Sequence, residues 1–435
     1  MVELIDGWRE LDSSLELMVV TRTPLGLLQP ELDKRGVPWM MLPFQSWVLH
    51  KRAVAPADVY HAAREDFAAV RALERLIREF GPDVVITNTI VAPWAAVAAK
   101  LVGVPHVWFA HEYGDDHEFS LTPDQTFEDI GILSDLVVTS SRELRGYLSQ
   151  WIDPGKIDVL YPNLQLSRVE SLLAERGSDW SSSFSDDPEA LRVICVGRIA
   201  ESKGQARLVR AIAALKAEGL RVEAALVGSA TSDDRARISS LIAEFGVDDH
   251  ITLTGEVSNP FPYVAESDVG VVVSDSEGFG RVTVEYMTAG KPVIGVRVGA
   301  TVELVAHQET GLLIEPNDID DLAAALRTYW NDRDLMRRHG AMAARHVADD
   351  ISKRHQLSTI LDQIGEVVLR GSAPLNSLPH LMMSWMSLPA TALELLAASG
   401  AMVDPRTSLT WRVGDAALAL PRGVVRLLRR GRGTR

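Results

Sequence analysis

Short apolar runs alternate with amphipathic stretches along most of the chain. In the first half, residues 15–20, 39–42, 84–87, 106–110 and 136–139 read as strands. Between the second and third runs, Val59, Ala63, Phe67, Val70, Leu73, Ile77 and Phe80 recur at spacings of three and four, which predicts a helix stopped by Gly81-Pro82-Asp83. The second half repeats the alternation. Residues 191–196, 222–227, 251–254, 269–274, 293–296 and 312–314 read as strands, while Leu208, Ile212 and Leu215, then Ile238, Leu241, Ile242 and Phe245, mark helices. Strand and helix in regular alternation predict parallel βαβ units, so the fold class is α/β with two Rossmann-like doubly wound halves. Periodicity fails around residues 178–187, where five of ten residues are serine, and a linker is expected there. The expected division is a first domain over 1–170, a linker over 171–190, a second domain over 191–350, a helix over 351–370 returning to the first domain, and an extension over 371–435.

Composition narrows the functional classes. The chain has 435 residues, with 46% apolar and 24% charged, an ordinary globular balance that can bury a large core. The one cysteine, Cys195, excludes an internal disulfide and any Cys-based metal site, and fits a reducing compartment. No apolar stretch of spanning length occurs, so a cytoplasmic protein is expected. A net charge of −15 argues against nonspecific nucleic-acid binding. Yet residues 421–435 carry six arginines and no acid, so a basic tail follows an acidic body. The stretch 411–430 mixes Trp, Leu and Val with those arginines and could touch an anionic membrane face, or equally lie solvated or against the body.

Open α/β sheets bind ligands beyond the carboxyl ends of their strands, so two facing halves place a cleft there. The segment from Ser274 to Glu285 leaves a strand, turns through Gly278, Phe279 and Gly280 and enters a helix. Glu277 then stands in the loop and Glu285 one to two turns into the helix. Carboxylates accept pairs of hydroxyl hydrogen bonds, which suits Glu285 to a ribose and Glu277 to a hexose, with helix-start amides favouring an anion. A solvated acidic loop is the plainer alternative. Arg198 and Lys203 follow another strand end, where a diphosphate would give two cations near a helix start a purpose. The P-loop spacing is absent, and Thr283 stands where a dinucleotide fingerprint needs a small residue. His111 ends a strand and points toward the cleft, while His106 lies at that strand's far end; a structural histidine is the alternative for each. Asp318 and Asp320 read as a helix cap rather than a metal pair, and no cluster has metal-ligand spacing.

Taken together, Gly197-Arg198 with Lys203-Gly204, Glu277-Gly278-Phe279-Gly280 with Glu285, and 290–295 resemble glycosyltransferase family 4, retaining enzymes of the GT-B fold. The resemblance extends to Asn88, Thr89, 105–112, 161–163, Gly299 with Glu303 and 311–313, covering roughly residues 1–370. It implies that Arg198 and Lys203 bind the donor diphosphate, Glu285 the ribose, and Glu277 with Gly278, Phe279 and Gly280 the transferred sugar. By the same resemblance, His111 lies beside the reaction centre. Such enzymes are usually metal-independent, need no cofactor because the nucleotide sugar is a substrate, and are thought to use front-face attack. A polysaccharide or lipid-linked acceptor in cell-envelope synthesis would follow. One departure is that residues 2–11 look like the helix after a first strand and Gly-rich loop, so that strand and loop are expected to be missing. A non-catalytic nucleotide-sugar-binding protein is therefore the alternative. Sugar-nucleotide epimerases of the same fold lack the Glu277 and Glu285 arrangement.

Overall fold

The computed structural model describes residues 1–383 except 23–27, 45, 50–55, 115–117, 120, 163–165 and 176–179. The basic tail, the stretch 411–430 and Asn163 lie outside the described residues. The first half runs α1 (Val2–Leu11), β1 (Val19–Thr21), α2 (Leu28–Lys34), β2 (Trp39–Met41), β3 (Val48–Leu49), α3 (Pro56–Phe80), β4 (Val85–Thr87), α4 (Trp94–Val102), β5 (His106–Ala110), β6 (Glu118–Phe119), α5 (Pro123–Leu133), β7 (Leu136–Thr139), α6 (Arg142–Leu148), β8 (Ile157–Val159) and α7 (Leu166–Ala174). Strands β4-β5-β7-β8 form a parallel sheet in that order, β1 pairs with β2 in parallel, and β3 pairs with β6 antiparallel. Helix α4 is Ala-rich because it is covered on most sides: Trp94, Ala96, Val97, Ala98 and Ala99 are all buried, and small side chains let it approach α3 closely.

The second half runs β9 (Leu191–Val196), α8 (Gln205–Ala217), β10 (Val222–Val227), α9 (Ser232–Glu244), β11 (Ile251–Gly255), α10 (Phe261–Glu266), β12 (Val269–Val272), α11 (Arg281–Thr288), β13 (Val293–Val296), α12 (Thr301–Leu304), β14 (Gly311–Ile314), α13 (Ile319–Asn331), α14 (Arg333–Asp349) and α15 (Leu357–Arg370). Its six strands are all parallel, in the order β11-β10-β9-β12-β13-β14. Strand order reverses between β9 and β12, the place where open parallel sheets carry their ligand crevice. The sequence-predicted helix face Leu208, Ile212 and Leu215 is fully buried against Val193 and Leu226, each side chain contributing roughly 1.5–3 kcal/mol. Asp318 caps α13 through the backbone N–H of Asp321 at 2.9 Å. Helix α15 packs on the first half, where Leu357, Ile360, Ile364 and Val367 join Trp8, Val107, Phe109 and Leu136 in one cluster.

Several boundaries differ from expectation. The first strand begins at Val19 rather than residue 15, because Ser14 turns back on Asp12 through its N–H and hydroxyl and only three residues of β2 are there to pair with. Strand β12 stops at Val272, since Ser274 is diverted to a loop contact described below. Phe245 is 41% exposed, past the end of the buried face that Ile238 and Ile242 form. Strands β3, β6 and β8 were not expected: the first two are two residues each, and β8 is an edge strand with Asp158 at its centre.

Candidate active site

The crevice between the halves holds a cavity of about 610 Å³, within the range of ligand sites. His111, Lys203, Glu277, Gly278, Phe279 and Gly280 line it. Arg198 and Glu285 do not. Arg198 follows Gly197, which does line the cavity, and is itself exposed at its rim. Glu285 is half-buried one turn into α11, and burial raises its carboxyl above the usual range, with Arg281 opposing and Glu3 adding to the shift.

The loop after β12 is over-determined. Lys203 Nζ donates to Glu277 Oε1 at 2.7 Å, and Ser274 Oγ donates to the same oxygen at 2.7 Å. The Glu277 carbonyl accepts the N–H of Ala300 at 2.9 Å. Gly299, at φ +50°, lies so close that a Cβ there would stand 2.4 Å from the Glu277 carbonyl oxygen, so only glycine fits. On the other flank, Gly204 at φ +68° presses against the Val273 carbonyl. Arg207 donates to that carbonyl at 2.6 Å and pairs with Asp275. Ser202 O also accepts the N–H of Asp275 at 2.8 Å. The Lys203 loop and the Glu277 loop are therefore one rigid unit at the switch point.

Both helices entering this unit start bare. Gly204 precedes α8 and Gly280 precedes α11, each glycine in the left-handed region, and neither helix has a side-chain N-cap bond. Apart from Arg207, whose N–H reaches the Gly204 carbonyl at 2.8 Å, the first-turn amides are left to face an anion. Cys195 is buried in the cavity wall, and burial pushes its thiol up to about 12, so it is no nucleophile at neutral pH.

The first half presents His111 from the carboxyl end of β5. Its Nε2 lies 2.9 Å from Asn88 Oδ1, which places the proton on Nε2 and leaves Nδ1 as an acceptor. Burial, reinforced by the positive amino terminus nearby, lowers His111 to about 4. His106, fully buried between Thr87 and Ser134, is lowered to about 3, chiefly by burial and also by Lys100. A histidine held below its unfolded value binds fewer protons when folded. Stability therefore rises with pH between these values and about 6.5, and is lost on acidification through that window. We expect the thermal midpoint to fall steadily from pH 6.5 to 4, and His111→Asn to flatten part of that slope. An unaltered slope in His111→Asn would contradict the assignment.

The halves touch at this loop. Ser140 Oγ donates to the Gly278 carbonyl at 3.0 Å, and the Gly278 backbone abuts the His111 carbonyl. Ser140 was missed in the sequence, although a serine directly after strand 136–139 was a readable signal. Among the described residues, no group of three His, Cys, Asp or Glu could hold a metal ion, and no helix is long and apolar enough to cross a membrane.

Comparison with known proteins gives a consistent picture. Residues 3–168 match the Glycosyltransferase Family 4 family, and residues 179–346 match glycosyl transferases group 1. Because the first match begins at residue 3, it does not support the expected loss of a first strand and Gly-rich loop. The chain is 32% identical over 276 residues to a D-inositol 3-phosphate glycosyltransferase of Thermomonospora curvata, covering 58% of this chain and 63% of that protein. It is 29% identical over 302 residues to the enzyme of that name from Rhodococcus erythropolis, covering 64% of this chain and 67% of that one. The matched stretch thus spans about two thirds or less of these relatives' length. Among solved structures, HepE of Anabaena in complex with UDP superposes with a TM-score of 0.63 at 22% identity, over 85% of this chain and 94% of that one, and establishes the shared two-sheet GT-B fold.

Proposed function

The chain belongs to the family 4 and group 1 glycosyltransferases, and we infer that it moves a sugar, with retention of configuration, from a nucleoside diphosphate sugar to a glycan or lipid-linked acceptor. The observation that carries this reading is the rigid Lys203 and Glu277 unit set between two uncapped helix starts at the switch point. In it, Lys203 and the amides of α8 and α11 take the diphosphate, and Arg198 swings in from the rim as a second cation. Glu285 accepts the ribose hydroxyls. Glu277 and the Gly278, Phe279 and Gly280 backbone hold the sugar, with His111 across the cleft.

The chemistry required is stabilisation of negative charge on the leaving diphosphate, for which fixed cations and amides in a water-poor cleft are suited. His111 is neutral at working pH, so it contributes hydrogen bonding and shape rather than charge. The acceptor proton then passes to the leaving phosphate oxygen. Divalent metal has no assigned role.

A panel of nucleoside diphosphate sugars, assayed for diphosphate release in chelator, tests the proposal, with NMR of the anomeric product testing retention. We expect release to persist in chelator. Arg198→Ala and Glu285→Ala should each raise donor KM about tenfold, the effect of one charge-assisted hydrogen bond. Unchanged KM in both variants would remove the donor-site assignment.

A further inference from the structure

One carboxylate of the second half is engaged by the backbone of the first half and by Tyr161, a crossover residue packed in the second half's own core with Ile194, Phe279, Tyr286 and Leu304. Glu303, on α12, accepts the hydroxyl of Tyr161 and, at 2.7 Å, the backbone N–H of Glu143 at the start of α6. Tyr161 is only 4% exposed; its ring meets Phe279 edge-on with centroids 6.0 Å apart, and its carbonyl accepts from His355 Nδ1 at 2.6 Å. The segment leading to Glu303 is itself fastened to the site loop through Ala300 N–H and the close approach of Gly299 to Glu277. Movement of Glu303 therefore drags the Glu277 backbone. Conversely, grip on Glu303 fixes where the Gly278 and Phe279 loop stands relative to His111.

We propose that Glu303 is a positioning residue that sets the closure of the cleft: oriented by Tyr161 from the core of its own half, it clasps the Glu143 amide of the other, so that the two halves present their site residues to each other. The inference rests on the glycosyltransferase reading for its kinetic consequence, but the clasp itself does not. Glu303 lines no part of the cavity and touches no reacting atom. Its physical task is to convert a loose two-body arrangement into one geometry, and a misplacement of about 1 Å across a reacting centre can cost about 100-fold. The two hydrogen bonds are charge-assisted and link elements 160 and 142 residues apart in sequence, so no local propensity can replace them.

The test is a double-mutant cycle of Glu303→Ala and Tyr161→Phe on the full chain, read by small-angle scattering, nucleotide affinity and kcat. Scattering should show a wider particle for Glu303→Ala. Nucleoside diphosphate affinity, which depends on the second half, should stay within about threefold, while kcat falls about 30-fold or more. Tyr161→Phe should lower kcat by a smaller factor and add nothing further on top of Glu303→Ala. Glu303→Gln, which retains one acceptor oxygen, should recover part of the loss. An unchanged scattering profile in Glu303→Ala, or additive kcat losses in the cycle, would overturn the clasp. If Glu303→Ala melts far below the parent, Tyr161→Phe, which deletes a single oxygen, carries the same test alone. Absence of any nucleotide binding by the parent chain would instead defeat the glycosyltransferase reading, and the scattering comparison would still decide the clasp.

Discussion

Gly278→Ala is expected to abolish most sugar transfer while leaving the fold standing. A methyl at this position would stand 1.9 Å from the His111 carbonyl oxygen and 3.0 Å from its carbon, both backbone atoms on the opposite half. No rotamer can relieve such an overlap. Neither half needs to unfold to accommodate it, because the clash is between them. The cleft must open by more than an ångström, separating His111 from the Glu277 loop and stretching the Ser140 bond to the Gly278 carbonyl. A displacement of that size costs about 100-fold in turnover, with a thermal midpoint within a few degrees of the parent. The check is kcat alongside a melting curve. Full activity in Gly278→Ala would mean that the closed arrangement of the two halves is not the working one.

The second large effect is expected at Glu277. Its carboxylate pairs with Lys203 Nζ at 2.7 Å, and Ser274 holds the same oxygen in place. Glu277→Gln keeps the shape and the Ser274 contact but removes the charge. Turnover should fall by about 100- to 1000-fold, the usual loss when one preorganised charge-stabilising group is taken from a reaction centre. The binding of sugar-free nucleoside diphosphate should move the other way or not at all, because Lys203 is released from its carboxylate and its full charge faces the phosphates. Opposite responses of kcat and diphosphate affinity separate this role from a structural one. Turnover within threefold of the parent would contradict it.

Most of the fold is legible in the chain because parallel strands buried on both faces are apolar runs broken at most by a single charge, such as Arg192 or Glu223, and helices packed on them show one apolar stripe. Residues 191–196 and 222–227 are read from end to end for that reason. What escapes is set by partners remote in sequence. Strands β3 and β6 are two residues each and exist only because Val48 meets Phe119. The site divides along the same line. Glu277, Lys203 and His111 follow strand ends, so the strand-to-helix grammar places them at the cavity that they line. Ser140 and Glu303 act across the cleft and Tyr161 orients Glu303 from the core beside it, and nothing in their local spacing tells which remote atoms they meet. Arg198 and Glu285, read from the chain as diphosphate and ribose contacts, do not line the cavity: Arg198 is exposed and Glu285 half-buried in α11, a placement that residue type and spacing do not carry.

The most direct measurement is a calorimetric titration of the full chain with UDP, GDP, ADP and dTDP in chelator, repeated on Lys203→Ala. The account predicts that one of the four binds with a stoichiometry of one, and that Lys203→Ala weakens it by about tenfold or more, as loss of a charged contact to phosphate should. Failure of all four to bind, or equal affinity in Lys203→Ala, would contradict a donor diphosphate site at the meeting point of the two loops.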